Sequence, residues 1–395
     1  MKTKPKILVT SAAGRTGSAA VFQLLEKGFP VRAFVRQRDA RAEALERAGA
    51  ELAFGDLFDF RDLRQALVGV QRAYHCPPFA PNLLEGAMAF ALAAEEAKLE
   101  VVTLMSGWND HAAHPAVVTR QHWIAKQLYR WMPSVDVIHL NPGIFAFMYL
   151  LGLPAVVHFG RLMGPFGEGR NAPPSNEDIA RVAVGTLINP APHIGKSYRP
   201  TGPELLSPYD IAAVLGKILD RKVTYQDVSF HMFAKASKAL GYSEFEISHL
   251  RYFSEEIRRG AYEIGAPTNH VELVTGHKPE SFEQTARRYL QNPSLIDPRL
   301  TIGNKLDAMS FLMRMMFSRV PDFDQWERNR GHQKLKSPLL AQDSKDWVST
   351  AEKQQANLLH PNSKRTQGLR EVGPLGGLVE TDEIVLDPLF YTVGK

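Results

Sequence analysis

Residues 7–36 pass from an apolar run through a turn of small residues into a helical pattern, and then into a second apolar run. The turn spans 11–17 and the second run spans 31–35, while the residues between them place apolar side chains on one helical face. Strand, turn, helix and parallel strand within about thirty residues form the unit in which a glycine-rich turn holds a dinucleotide. The segment therefore predicts an α/β protein with a nucleotide site at its first turn. A tight turn without a ligand is the alternative.

The chemistry of this turn depends on Gly14 and Gly17. A glycine backbone can approach a pyrophosphate closely, and the free N–H groups at the start of a helix favour negative charge. Ser11 stands where the S-x-x-G-x-x-G spacing would place a third glycine. A positive φ would cost more at a serine than at a glycine, whereas the hydroxyl can bond either a phosphate or the turn itself.

Arginines near the end of the second apolar run indicate which cofactor is used. An acidic residue at this position binds the ribose 2′-hydroxyl of NAD, whereas an arginine accommodates the 2′-phosphate of NADP. Here Arg36 ends the run, Arg38 follows it, and Arg15 lies in the glycine turn, while Asp39 is expected to begin the next helix. Guanidinium groups bind phosphate through charge-assisted bonds. NADP(H) is therefore predicted over NAD(H), with solvated arginines as the alternative.

Short apolar strands then alternate with helices as far as residue 140, which predicts a doubly wound parallel sheet with helices on both faces. The predicted helices are 39–48, 62–68, 81–98 and 117–132, and the predicted strands are 51–54, 72–76, 101–105 and 135–140. Ligands of such sheets bind outside the carboxyl ends of the strands. Those ends are 11–17, 36, 55–56, 77–79, 106–107 and 141–143.

Three parts of the chain are expected. Residues 1–143 form an NADP(H)-binding Rossmann domain, and 144–298 a smaller substrate-covering portion with elements that return to the Rossmann core. Residues 299–395 form an extension of unknown role, with a Met-rich helical segment at 306–317. In the covering portion, helices are expected at 176–188, 208–219 and 281–289, and a strand at 222–228.

Composition excludes some partners. The 395 residues are 44% hydrophobic and 23% charged, and the net charge of +5 is spread along the chain rather than gathered in runs. Nucleic-acid binding is therefore not expected. The uncharged stretch 144–157 is too short to span a bilayer. A single cysteine, Cys76, fits a reducing compartment, so a cytoplasmic location is expected.

Several motifs stand in one order along the chain. They are VTSAAGRTG (9–17), VRAFVR (31–36), GDLFD (55–59), CPPF (76–79), NPGIF (141–145), SPYDIAAVLGKILDRKVTYQDV (207–228) and TGHKPESFEQTARRYL (275–290). As an ordered set over about residues 5–292, they resemble the NmrA-like family of atypical short-chain dehydrogenases/reductases. That family includes quinone-reductase-like and isoflavone-reductase-like enzymes and some redox-sensing regulators. The final hundred residues have no counterpart in this resemblance.

The resemblance implies roles for particular positions. Those assigned to the cofactor phosphates are Ser11, Gly14, Arg15, Thr16 and Gly17. Asp56 and Leu57 are assigned to the adenine side. Those assigned to the nicotinamide side are Pro77, Pro78 and Phe79. Arg15 and Arg36 would lie near the 2′-phosphate, and Ser106 falls where the wider superfamily often has a catalytic serine. The sequence departs from the family at Ser11, usually glycine, and at Asn141, commonly arginine.

Hydride-transferring short-chain dehydrogenases carry Tyr-x-x-x-Lys on one helical face, where the lysine holds the nicotinamide ribose and lowers the pKa of the tyrosine. Here the corresponding residues are His122 and Lys126, and Tyr129 lies off that register. Three interpretations stay open. His122 donates a proton; or Lys126 holds the ribose and water protonates the substrate; or the pair is inert and the protein only binds NADP(H).

Other candidates are weaker. His111 and His114 follow the fifth strand without a third metal ligand at a definite spacing, so a polar loop is expected and no metal. Residues 144–158 can wall an apolar substrate pocket or pack as core. Segment 311–317 can meet a membrane or a partner, but packing on the body or across a dimer is favoured. Cys76 can be a redox-sensitive thiol, although a small buried hydrophobe is favoured.

These observations favour an NADPH-dependent oxidoreductase that reduces an apolar carbonyl, enone or quinone-type small molecule. The alternative is a non-catalytic NADP(H)-binding redox sensor that acts through a protein partner. Residues 299–395 are the candidate surface for a homodimer or such a partner.

Overall fold

The computed structural model describes residues 4–291, 305–332 and 334–353. In chain order its strands are β1 (Ile7–Val9), β2 (Val31–Val35), β3 (Glu51–Phe54), β4 (Arg72–His75), β5 (Val101–Met105), β6 (Asp136–Leu140), β7 (Arg161–Gly164), β8 (Ser197–Tyr198) and β9 (Thr224–Asp227). Its first helices are α1 (Arg15–Glu26), α2 (Ala40–Arg47), α3 (Phe60–Ala66), α4 (Leu83–Glu96), α5 (Val117–Arg130), α6 (Ala146–Leu150), α7 (Leu153–Phe159) and α8 (Asn176–Ile188). The remaining helices are α9 (Pro208–Ile218), α10 (Phe230–Ala239), α11 (Glu244–Arg258), α12 (His270–Thr275), α13 (Phe282–Gln291), α14 (Lys305–Phe317), α15 (Phe323–Asn329) and α16 (Lys345–Glu352).

Seven parallel strands form the main sheet, in the order β3-β2-β1-β4-β5-β6-β8. Both faces of this sheet are buried. Ile7 and Val9 of β1 pack in one cluster with α1, α2, α8 and α12, whereas Leu8 packs in a second cluster with α3, α4 and α5. An apolar strand covered on both faces is expected where crossover helices flank a parallel sheet. The predicted doubly wound α/β fold is confirmed.

The chain beyond β6 builds a smaller layer and also returns to the sheet. Strands β7 and β9 form a separate parallel pair, and α6, α7, α9 and α13 share an apolar cluster around it. Strand β8 completes the edge of the main sheet, and α8 packs along α1. The chain beyond β6 thus contributes a strand and a helix to the layers of the main sheet.

Most predicted elements lie within a few residues of their observed bounds. Ser207 and Asp210 form a capping box at the start of α9, and Ser175 caps α8. At α4 the prediction was wrong by two residues, because Pro81 precedes the capping residue Asn82 instead of opening the helix. Strand β8 was not predicted, since two residues carry no periodic signal.

The described parts of the extension fold back on the body. Helix α14 packs against α7 and α10. Glu327 of α15 accepts hydrogen bonds from Ser248, Arg251 and Tyr252 of α11. Leu339 donates its backbone N–H to Ala113 O at 2.9 Å. The rest of the predicted extension lies outside the described residues. Within the described part of the chain, no helix has the length and apolarity needed to cross a membrane.

Candidate functional site

The turn between β1 and α1 is built for close backbone approach. Gly17 lies so near the turn that an added Cβ would come within 2.4 Å of Ser11 O. Ser11 itself has a φ of +49°, and its hydroxyl donates to Cys76 O at 2.8 Å. This bond reaches the end of β4 and is neither of the two predicted for the hydroxyl, so a bond to a phosphate stays a prediction.

The N-cap residue of α1 is Gly14, which has no side chain to bond the N–H groups of the first turn. That end of the helix therefore presents a positive dipole and donors toward the turn. Thr16 is buried, and its hydroxyl donates to Asn176 Oδ1 at 3.3 Å. Arg15 lies over the Phe147 ring at 4.5 Å from its centroid. A role in phosphate binding stays a prediction for both side chains.

A crevice of about 230 Å³ opens beside the turn, at the carboxyl ends of β1, β2 and β3. Six of the predicted cofactor residues line it. They are Ser11, Gly14, Arg36, Asp56, Leu57 and Pro78. The structure thus brings together positions that lie up to 67 residues apart in sequence. Pro77 is buried and does not line this crevice.

The arginines predicted to share one phosphate are not gathered together. Arg38 binds Glu46 through both guanidinium nitrogens at 2.8 and 2.9 Å and does not line the crevice. Arg41 lines it, but Asp39 Oδ2 accepts from this side chain at 2.6 Å. That bond lowers the pKa of Asp39, which also caps α2 as expected. Among the described residues, none forms a hydrogen bond or ion pair with the guanidinium of Arg36.

Lys126 lies buried at the carboxyl edge of β6. Its ammonium donates to Asn141 Oδ1 at 3.0 Å and is 3.8 Å from Asp110 Oδ2. Asp110 is fixed in turn, because it accepts from Gly107 N at 2.7 Å. Burial lowers the pKa of Lys126, whereas the Asp110 carboxylate raises it. Asn141, where the family commonly has arginine, therefore accepts from the lysine instead of repelling it.

His122 lies one turn before Lys126 on α5 and is half-buried. Desolvation lowers its pKa below the usual 6.5, and Lys126 adds to that decrease while Asp110 opposes it. Tyr129 is fully buried and donates to Ala87 O at 3.2 Å. The tyrosine off the register is thus a core residue, whereas a catalytic role for His122 stays a prediction.

Two polar atoms at the strand ends are buried with no hydrogen-bond partner among the described residues. They are Ser106 Oγ, at the end of β5, and His75 Nε2, at the end of β4. His75 stacks on Phe90 with a centroid distance of 4.0 Å, and burial lowers its pKa to about 3. Burial also raises the pKa of the neighbouring Cys76 to about 12, which disfavours the reactive thiolate.

Sequence reasoning missed Arg199, which follows β8 at the same edge. Its guanidinium lies 3.4 Å from the centroid of a Trp108 ring and 5.4 Å from that of Trp347 in α16. Burial lowers the pKa of Arg199 to about 9, and its positive charge contributes to the lowered pKa of Lys126. No sequence signal marked Arg199, because the strand that positions it has only two residues.

A second missed group surrounds Glu256 of α11. The carboxylate is fully buried and accepts from Asn109 Nδ2 at 2.6 Å and from Ala341 N at 3.0 Å, and it pairs with His114 Nε2 at 2.9 Å. The neighbouring His111 leaves Nε2 without a partner among the described residues, and burial lowers its pKa to about 4. The loop after β5 is thus tied to the extension through one carboxylate. No group of three or more His, Cys, Asp or Glu side chains in the described ranges is arranged to hold a metal ion.

An apolar cavity of about 170 Å³ lies beyond the end of β6. Ile144, three residues past Asn141, is part of its wall, together with side chains of α6, α7, β7, α10, α11 and α14. Residues 144–158 both pack as core and line a cavity, since Tyr149 belongs to the buried cluster and also lines this cavity. That the cavity takes a substrate stays a prediction. The extension contributes Phe311, Leu312 and Met315 to the wall.

The sheet order, the glycine turn and the crevice at the strand ends define a Rossmann-type nucleotide-binding protein. Residues 3–284 match the NmrA-like family. Because that match covers well over half of the chain, the protein belongs to the NmrA-like family of NAD(P)-binding atypical short-chain dehydrogenases/reductases. The final part of the chain lies outside the match.

Relatives of the chain include several reductases. The NAD(P)H azoreductase of Xenophilus azovorans is 30% identical over 239 residues, which are 60% of this chain and 82% of that protein. The NADPH-dependent quinone oxidoreductase of Escherichia coli, solved with NADPH, is 25% identical with a TM-score of 0.63, over 72% of this chain and 100% of that one. The triphenylmethane reductase of Citrobacter sp., solved with NADP(H), is 20% identical with a TM-score of 0.63, over 71% and 99% of the two chains. This last likeness shows the fold.

Proposed function

We propose that this protein is an NADPH-dependent reductase of an apolar carbonyl, enone or quinone-type small molecule. The observation that carries the proposal is that the described chain has two different spaces beyond the ends of its strands. A crevice lined by residues of the glycine turn and by Arg36 lies at β1–β3, and the wall of an apolar cavity includes Ile144, four residues beyond the end of β6. Asn141, which accepts from Lys126, directly follows β6. The azo- and quinone-reducing relatives support the same class of reaction.

The residues of the crevice fit a dinucleotide. A Cβ at Gly17 would obstruct the turn, so the sequence keeps this position open to a close backbone approach. The first-turn N–H groups of α1 and the unpaired Arg36 guanidinium would hold phosphate groups. Asp56 and Leu57 would border the adenine, and Pro78 would lie toward the nicotinamide side. Reduced NADP would supply a hydride, and reduction of a quinone or carbonyl requires one further proton.

We infer that water is the source of that proton. Desolvation lowers the pKa of His122, which disfavours the protonated imidazole as a donor. We assign Lys126 to the nicotinamide ribose and His122 to the wall of the substrate space. Soft acceptors such as quinones fit this arrangement, because they do not require a strong acid in the protein. A reducing, cytoplasmic location is part of the proposal, because the single cysteine forms no intrachain disulfide.

Nucleotide binding tests the cofactor site, with Arg36→Ala as the variant and Arg38→Ala as its matched control. Loss of a charge-assisted bond of about 1.5–3 kcal/mol should weaken NADPH binding by about 10- to 100-fold in Arg36→Ala. NADH binding should change little, because NADH has no 2′-phosphate. Calorimetric titration of both nucleotides measures the effect.

Arg38 already binds Glu46 and lies outside the crevice, so Arg38→Ala should keep the NADPH preference. An equal loss in the two variants, or an equal loss for both nucleotides, would contradict the assignment of Arg36. If neither nucleotide binds the wild type, the glycine turn is structural and the proposed function is wrong.

Turnover tests the role of Lys126. With a panel of quinones, azo dyes and enones, the wild type should oxidise NADPH with at least one acceptor. Lys126→Ala should raise the KM for NADPH by about 10- to 100-fold through loss of a bond from a charged donor, and it should lower kcat. The exposed Lys222→Ala is the control and should retain wild-type kinetics.

Full activity in Lys126→Ala would show that the lysine does not hold the ribose. A protein that binds NADPH tightly and reduces no acceptor of the panel would instead be the cofactor-sensing alternative.

A further inference from the structure

Helix α14 is apolar on two opposite sides. Its inner side packs into the molecule, where Phe311 is only 9% exposed and Leu312 and Met315 line the apolar cavity. Its outer side carries five exposed apolar residues, which are Leu306, Met309, Met313, Met316 and Phe317. Their spacing places them on one side of the helix. An apolar side of a helix is normally buried against another element, and this outer side has no such cover within the described residues.

The exposed surface continues onto the neighbouring helices. Val157 and Phe159 of α7 and Met232 of α10 are 40%, 43% and 46% exposed, and α14 packs against both helices. We call the eight residues together the α14 face. Phe159 and Met232 also line the apolar cavity. Residues that line a cavity and are also exposed mark its mouth, so the cavity opens on the α14 face.

Basic side chains surround this face. Arg314 is exposed on α14 itself. Lys235 donates to Met316 O at 3.2 Å, and Arg221 donates to Val157 O. Both cations are thus held at the edge of the apolar surface by carbonyl groups of the face's own residues. Asp307 is the acidic residue of α14, so the basic residues are in excess around the face.

We propose that the α14 face docks on an anionic lipid surface, with α14 lying in the plane of the interface. An apolar helix surface with flanking cations is the pattern of helices that insert into the headgroup region. Methionine side chains adapt to an irregular apolar environment. A symmetric dimer through this face would bring two copies of the same basic rim together, which favours lipid over a second copy of the chain.

Docking in this orientation places the mouth of the cavity against the lipid. A quinone or enone with an apolar tail partitions into lipid, and it would enter the cavity without crossing water. This step rests on the proposed function, whereas the docking itself does not. The substrate class becomes a lipid-soluble acceptor held near the membrane surface.

Vesicle flotation tests the docking. Wild-type protein should float with vesicles of phosphatidylcholine and phosphatidylglycerol, and binding should weaken at high salt and without phosphatidylglycerol. The double variant Met316→Glu/Phe317→Glu should bind at least about tenfold more weakly, because two inserted apolar groups become charged. Leu92→Glu, at an apolar position that is 62% exposed on α4, is the matched control and should bind like the wild type.

A tryptophan reports the orientation. Phe317→Trp should gain fluorescence that brominated lipids quench, whereas the added fluorescence of Leu92→Trp should not be quenched. Failure of the wild type to float, or equal binding by Met316→Glu/Phe317→Glu, would overturn the proposal. So would a wild-type dimer in sedimentation that becomes a monomer in the double variant and binds no vesicles.

NADPH titration of the same variants keeps the two proposals separate. Met316→Glu/Phe317→Glu should bind NADPH like the wild type, because the α14 face shares no residue with the crevice. Lost flotation with retained NADPH binding is therefore the expected result. Loss of both would show that the variant is unfolded, and Met313→Glu, at a position 52% exposed, then provides the same comparison with a single change.

Discussion

His249 shows how one residue can serve a helix that lies far from it in sequence. Its Nε2 accepts the backbone N–H of Val118 at 3.2 Å, in the first turn of the helix that carries His122 and Lys126. Its Nδ1 lies 2.7 Å from Phe245 O, so the ring is neutral with the proton on Nδ1. Ala116, the residue at the N-cap position of α5, provides no side-chain cap. His249 therefore supplies the cap that the local sequence lacks.

This cap predicts a dependence of stability on pH. Burial lowers the pKa of His249 to about 4, whereas the unfolded chain takes up the proton near pH 6.5. Below pH 6.5 the unfolded state therefore binds more protons, and the free energy of unfolding falls as the pH decreases. Over that range the contribution of one such group amounts to about 3 kcal/mol. His249→Gln, whose amide oxygen can accept the same N–H, should lose stability less steeply between pH 6.5 and 4.

Urea unfolding at several pH values measures this difference. The exposed His231→Gln on α10 is the control and should follow the wild-type curve. His75 and His111 remain in every variant, so part of the acid sensitivity should persist. Parallel curves for His249→Gln and the wild type would show that His249 does not contribute to it.

Among the elements, α16 packs against the loop after β5, although the two are far apart in the chain. Trp347 donates its indole N–H to Trp108 O at 3.0 Å and covers the guanidinium of Arg199. A Cβ at Gly265 would lie 1.9 Å from Ala351 O, so this helix requires a glycine to reach its position. The helix therefore covers the loop after β5, which carries Asp110 beside Lys126.

Removal of this contact should release α16. Trp347→Ala deletes a side chain that is 7% exposed, and buried Trp-to-Ala changes cost about 3–5 kcal/mol. We expect faster proteolytic cleavage within 334–353 and a lower free energy of unfolding. Trp131→Ala, at a position that is 79% exposed, is the control and should change neither quantity by more than about 0.5 kcal/mol. Wild-type cleavage in Trp347→Ala would contradict a docked α16.

For the molecule as a whole, the sequence predicted the features that depend on local periodicity. Helix α8 has the predicted bounds, and the crevice contains Arg36, Asp56 and Leu57 because parallel strands end at one edge. Long-range pairing was not predictable in this way. The approach of Glu256 to Ala341, or of Trp108 to Trp347, leaves no pattern in either segment. Arg38 was expected at the phosphate. The sequence did not show that Glu46 binds it instead, because the two residues become neighbours only when α2 forms.

The extension lies outside the family match. Its contacts are made to the loop after β5 and to α7, α10 and α11, which are parts of this chain's own surface. The family match ends at residue 284, before the extension residues that make these contacts. The comparison therefore covers the crevice and most of the wall of the apolar cavity, and it leaves out the part of that wall contributed by Phe311, Leu312 and Met315.

The bond between Trp347 and Trp108 O joins residues 239 positions apart, and this separation has a consequence for synthesis. A ribosome that makes this chain completes all seven strands of the main sheet once β8 has emerged. Glu256 gains its partner from Ala341 only after a further 85 residues have been added. The nascent protein therefore has a complete nucleotide crevice before the loop after β5 is covered. During that interval Glu256 has Asn109 and His114 as partners but lacks the Ala341 N–H, and this third bond forms when the segment just before α16 docks.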